Sequence, residues 1–156
     1  MTKIVKAMLP TSALLAVYLS AAPAQAATQP SDPCSLPTPA QAGSALGATY
    51  AAPSKSVAPR PYPSSGPGTD CRYSGRTELL FRIYYDGSAG DATTLFAKLK
   101  MFFGNSTPAS GIGDEAYFDK DGALHARKGN VRFFLSAGNG QQAALTKLGE
   151  MVAGQL

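Results

Sequence analysis

The sequence is poor in the side chains that most enzyme chemistry needs. It has one histidine, His125, and two cysteines, Cys34 and Cys71. Any triad, zinc or general-base scheme must therefore pass through His125. No Cys-x-x-Cys, Gly-x-Ser-x-Gly elbow, phosphate-binding glycine loop or His-Glu-x-x-His helix occurs. A lone histidine cannot complete a zinc site with two cysteines unless carboxylates join, so no metal and no cofactor are expected. Long apolar runs are lacking too: Ala7 to Leu19 is about 13 residues and contains Pro10 and Ser12, where a membrane span needs roughly 20. Basic runs are equally scarce. Apart from Arg127 and Lys128 the cations are interspersed with acids, which speaks against a nucleic-acid partner.

The N-terminus, in contrast, is informative. Lys3 and Lys6 precede the apolar run, and Ala24, Gln25 and Ala26 follow it as a small-residue cleavage site. Residues 1–26 have the form of a secretory signal peptide, and the mature protein is expected to be periplasmic or secreted. No cysteine stands at the cleavage point, so a lipid anchor there is not expected. Removing Lys3 and Lys6 from the 14 Lys and Arg leaves 12 against 10 Asp and Glu, a modest net charge. In an oxidising compartment the even pair Cys34 and Cys71 is most simply a disulfide. Such a bridge closes a loop of nearly 40 residues, worth roughly 4 kcal/mol in the chain-entropy limit.

Nine of the twelve prolines lie between Pro30 and Pro67. Residues 27–70 therefore read as a Pro/Ala/Ser-rich segment with one regular island. Thr38 before Pro39 has the form of an N-cap with proline in the first turn, and Gly47 terminates a short helix near 39–46. Residues 53–68, with Pro59, Pro61 and Pro63 at alternate positions, read as an extended linker or as a recognition loop.

From Cys71 the pattern is that of a folded core, residues 71–156, which with the preceding segment makes one domain over 27–156. Leu79, Phe81, Ile83 and Tyr85 alternate with Leu80, Arg82 and Tyr84, the signature of a strand. Asp91 reads as the N-cap of a helix over Ala92 to Phe103, stopped by Gly104. Glu115 to Phe118 and Ala123 to Lys128 form a hairpin around Asp121 and Gly122. Asn130 to Ala137 adds a third strand, and Gln141 to Leu156 an amphipathic terminal helix. The expected class is α+β: an antiparallel sheet of about four or five strands with two or three helices packed on one face.

Several residues compete for a functional role. Arg82, Arg127 and Arg132 can align across neighbouring strands with Tyr84 and Phe134, a candidate binding face for an anionic protein loop or an envelope glycan. His125 shares a face with Ala123 and Arg127 and reads as a solvent-facing strand residue. An enzyme or metal reading would join it to Asp114, Glu115 or Asp119. Asp114 and Glu115 are adjacent, however, and point to opposite faces of a strand. Asp119 and Asp121 before Gly122 imitate part of a calcium loop, but that register places Lys128 where a carboxylate is required.

Asp32, Pro33, Cys34, Ser35 and Leu36 before a short helix, then Cys71, Arg72 and Tyr73, then Ser110 to Phe118, then Arg127 to Asn130 before a last helix, resemble small exported bacterial proteins of unknown function. Their best-known members are actinobacterial lipoproteins, and the resemblance implies a PsbP-like alpha/beta sandwich. The chain departs from those members in having no cysteine to be lipidated, and the resemblance brings no catalytic residue with it. The expectation is a non-enzymatic exported protein that binds an envelope component or another protein. An enzyme or metal protein built on His125 with Asp114, Glu115 or Asp119 is the alternative from another class, and a small inhibitor or immunity-type protein, using the proline-rich loop as a plug, is a third.

Overall fold

The computed structural model describes residues 30–156; the expected signal peptide, 1–26, lies outside the described residues. After a 3₁₀ turn at Pro33–Ser35 come α1 (Pro39–Leu46), β1 (Ser54–Val57), β2 (Gly68–Tyr73) and β3 (Leu79–Tyr85). Next follow α2 (Ala89–Phe103), β4 (Thr107–Pro108), β5 (Glu115–Phe118), β6 (Leu124–Lys128), β7 (Val131–Ser136) and α3 (Gln142–Gln155). All seven strands form one antiparallel sheet in the order β1-β2-β3-β7-β6-β5-β4. Two meanders, β1 to β3 and β4 to β7, are thus joined by α2, and β7 returns to the centre beside β3.

The class is α+β, but the expectation of four or five strands is corrected to seven. The additional strands are β1, β2 and β4. All four residues of β1 are exposed and β4 is two residues long at the opposite edge, so neither has the buried alternation by which strands are recognised. The expectation that helices cover one face is also corrected. α1 and α3 pack together beneath the sheet, where α3 lies on β6 and β7, while α2 lies on the same two strands from the other side. Residues 53–68 are not a detached linker either: they hold β1 and the turn into β2.

Local chemistry explains the helices. Thr38 Oγ1 accepts from Gln41 N–H while Gln41 Oε1 accepts from Thr38 N–H, a reciprocal capping box ahead of Pro39. For α2 the cap is Ser88, whose Oγ accepts from Asp91 N–H and in turn donates to Asp91 Oδ2. That cap moves the helix start three residues before the expected Ala92, since Gly90 and Ala89 are carried in the first turn. Alternation then sorts the strands. Cys71, Phe81, Ile83, Leu124, Phe133 and Leu135 face α1 and α3 and are all nearly fully buried.

Cys34 and Cys71 form a disulfide with 5.4 Å between Cα atoms, tying the 3₁₀ turn to β2. Next to it the buried Tyr73 hydroxyl reaches the carbonyls of Cys34 and Pro37. The bridge accords with an oxidising compartment. No helix among the described residues is long and apolar enough to cross a membrane.

Candidate functional site

The second face of the sheet carries the polar and aromatic side chains that the helices α1 and α3 exclude. Strand register sets them in two rows. Asp70, Arg82, Phe134, His125 and Tyr117 run across β2, β3, β7, β6 and β5; Tyr84, Arg132, Arg127 and Glu115 run beside them. The residues of the candidate face therefore do share one side of the sheet. They do not form an exposed basic patch, because every arginine in them has a carboxylate partner.

Arg82 Nε and Nη2 bond bidentately to Asp70 at 2.5 and 2.8 Å, and the guanidinium sits 5.9 Å from the Phe134 ring centroid. The Asp70 contact holds the Arg82 pKa above its ordinary value. Arg132 is paired just as closely. Its Nε and Nη2 bond to Asp86 at 2.5 and 3.0 Å, Nη2 also reaches Ser65 Oγ at 3.4 Å, and both partners are buried. The Tyr84 ring lies 4.9 Å from the Arg132 guanidinium. Arg127 turns away to Asp114 Oδ2 at 2.8 Å, and the same carboxylate accepts from Gly129 N–H, so Arg127 belongs to a turn and not to the cleft described below.

His125 is not the solvent-facing residue its neighbours in the strand predict. It is 6% exposed, stacked on Tyr117 with centroids 4.8 Å apart and packed by Phe103 and Phe134 at 4.9 Å each. Alternation assigns the right face; coverage by α2 makes that face an interior. Nε2 lies 3.0 Å from Asp119 Oδ2. Asp119 is itself fixed, since Oδ1 accepts from the N–H groups of Asp121 and Ala123, both at 3.0 Å. A carboxylate only accepts, so the imidazole proton rests on Nε2 and Nδ1 keeps its lone pair. Burial pushes the His125 pKa down, and Asp119 opposes that in part, leaving a neutral ring at neutral pH. Asp114 and Glu115 play no part here: they bond Arg127 and Lys100. Among the described residues no three His, Cys, Asp or Glu side chains converge as a metal ion would need.

Between α2 and the loop that links β1 to β2 these residues leave a cleft of about 390 Å³. Its floor is Arg82, Phe134 and His125; Leu99 and Phe103 of α2 form one wall, and Pro61 of the loop the other. Asp119, Asp121 and Ser136 line one end. The loop is anchored on the protein's own sheet. Tyr84 Oη donates to Pro59 O at 2.6 Å, Gly66 N–H donates to Asp86 Oδ1 at 3.0 Å, and Lys98 of α2 lies 5.8 Å from the Tyr62 ring.

Several of these residues escape a reading of the sequence. Asp70 precedes the region in which a strand is recognised, and Asp86 looks like a strand breaker. Leu99 and Phe103 look like ordinary core positions of α2. Tyr117 is set against His125 only by the observed register of the hairpin, one residue away from the Tyr117–Leu124 pairing that a four-residue loop over Asp119–Gly122 implies. No family model, curated protein or solved structure matches the chain.

Proposed function

We propose that this is an exported, non-enzymatic binding protein of the periplasm or the extracellular space, and that it holds a small envelope component in the cleft between α2 and the 58–67 loop. One observation carries the reading. The cleft is lined mainly by aromatic and aliphatic side chains, and its charged groups are already engaged by partners from the protein: Arg82 by Asp70, Asp119 by two backbone amides and His125, and Asp121 by Lys120. Concave, mostly apolar sites with a few convergent polar groups, within about 300–1,000 Å³, are those that bind small molecules. The motif residues that underlie the resemblance to small exported bacterial proteins serve architecture here: Cys34 and Cys71 bridge, and Tyr73 braces the bridge. The test is to load purified protein with envelope extract and to examine it by native mass spectrometry. A retained mass that Phe134→Ala loses supports the reading; no retained mass in either protein overturns it.

A second reading, an enzyme, is favoured by the buried His125 and Asp119 pair, in which a carboxylate orients an imidazole as it does beside many general bases. Ester and peptidoglycan turnover by the native protein, abolished in His125→Ala, would establish it. Turnover equal in the two proteins, or absent from both, removes it.

A further inference from the structure

Behind the cleft lies a second, smaller chamber of about 20 Å³, walled in part by Arg132, Phe96 and Phe133. It shares Tyr84, Leu99, His125 and Phe134 with the cleft, so the two spaces adjoin across the same side chains. The chamber has room for one oxygen atom or one water, a water needing at least about 10–15 Å³. Arg132 is 2% exposed, and two of its guanidinium nitrogens are engaged by Asp86 and Ser65. The third, Nη1, is buried without a partner. A buried donor left unmet is costly, and native proteins rarely leave one so. The remaining walls are hydrocarbon and aromatic carbon, apart from His125 and Tyr84, whose hydroxyl proton is donated to Pro59 O.

Resting on the cleft reading above, we propose that the ligand is an uncharged ring compound bearing an acceptor oxygen, a carbonyl above all. Its ring lies on Phe134, and its oxygen enters the small chamber to accept from Arg132 Nη1. The ring follows from the lining, which offers Phe103, Phe134, Leu99 and Pro61. Neutrality follows from the pairing. Asp86 already balances Arg132 and Asp70 already balances Arg82, so a carboxylate would find no unmatched cation and would lie close to Asp119 and Asp121. A cation would meet the two guanidinium groups. A single carbonyl oxygen matches both the size of the chamber and its one unmet donor.

Two probes of the same ring separate these claims: acetophenone, which has the oxygen, and ethylbenzene, which lacks it. In isotope-labelled protein, acetophenone should shift Phe134, Leu99 and the Arg132 guanidinium resonances, and ethylbenzene only the first two. The ratio of the two affinities should fall about tenfold in Arg132→Lys, which keeps a cation for Asp86 but has no Nη1. If Arg132→Lys does not fold, the Arg132 resonances of the native chain decide alone. Shifts at Phe134 and Leu99 with both probes and none at Arg132 overturn this inference, leave the cleft reading standing and assign the chamber to water. No shift at the cleft with either probe overturns both.

Discussion

Arg132 and Asp86 form the most enclosed ion pair among the described residues, with side chains 3% and 0% exposed. Removing one member of such a pair strands the other in a low-dielectric site, which costs about 3–5 kcal/mol. Asp86→Ala should therefore destabilise the protein by about that amount in urea or guanidinium titration, whereas Glu78→Ala, which breaks the exposed pair with Arg72, should stay within about 1 kcal/mol. His125 makes a pH-dependent contribution of definite sign. Its folded pKa lies below its ordinary value of 6.5, so the unfolded chain takes up the proton first as pH falls. Stability is fully present above 6.5 and is lost as pH drops from there toward the folded pKa. His125→Phe should flatten the dependence of the denaturation midpoint on pH in that window; an unchanged slope would show that His125 does not titrate differently in the two states. How far such residues were legible differs case by case. Alternation placed His125, Arg82 and Phe134 on their correct face, because the pleat alone decides that. It could not reveal that α2 covers the face, nor that Asp70 and Asp86 neutralise its arginines, since both facts depend on segments distant in sequence.

At the level of elements, the proline-rich stretch was the least legible. Nothing in Ser54–Val57 alternates, because an exposed edge strand has no buried side from which a pattern could arise. Helix α1 was legible to the residue, since capping and proline act locally. The turn from β1 into β2 is pressed on the end of β3: a Cβ at Gly66 would collide with the Tyr85 carbonyl. Gly66→Ala should lift this loop off Asp86 and cost roughly 1–3 kcal/mol, seen as a lowered thermal midpoint and increased exchange of the Gly66 and Tyr85 amides. The disulfide binds the same region from below. Replacing Cys34 and Cys71 together by Ser should lower stability by roughly 2–4 kcal/mol, the value for a closed loop of this length less the strain and residual structure that reduce it. A double variant with the native denaturation midpoint would mean that the bridge contributes nothing to stability.

For the molecule as a whole, the division into a proline-rich segment and a core from Cys71 does not correspond to an independently folding boundary. The segment before Cys71 supplies β1, the start of β2, the Asp70 partner of Arg82, one half of the disulfide and α1, which packs on α3. A chain beginning at Cys71 should consequently give a collapsed, poorly dispersed NMR spectrum, whereas residues 27–156 should unfold in a single cooperative step. The place of β7 has one more consequence. It is the last strand in the sequence, yet it lies between β3 and β6. As the polypeptide emerges from its N-terminus into the oxidising compartment that the bridge requires, the edge of β3 stays open until residues 131–136 arrive, while Cys34 and Cys71 are both present long before. The chain can fasten its first half early but can complete its sheet only at the end, and the same late strand that fills the centre brings Arg132 to Asp86. Sheet and cleft are finished by one event, and α3 then closes the core with Leu145, Leu148 and Val152.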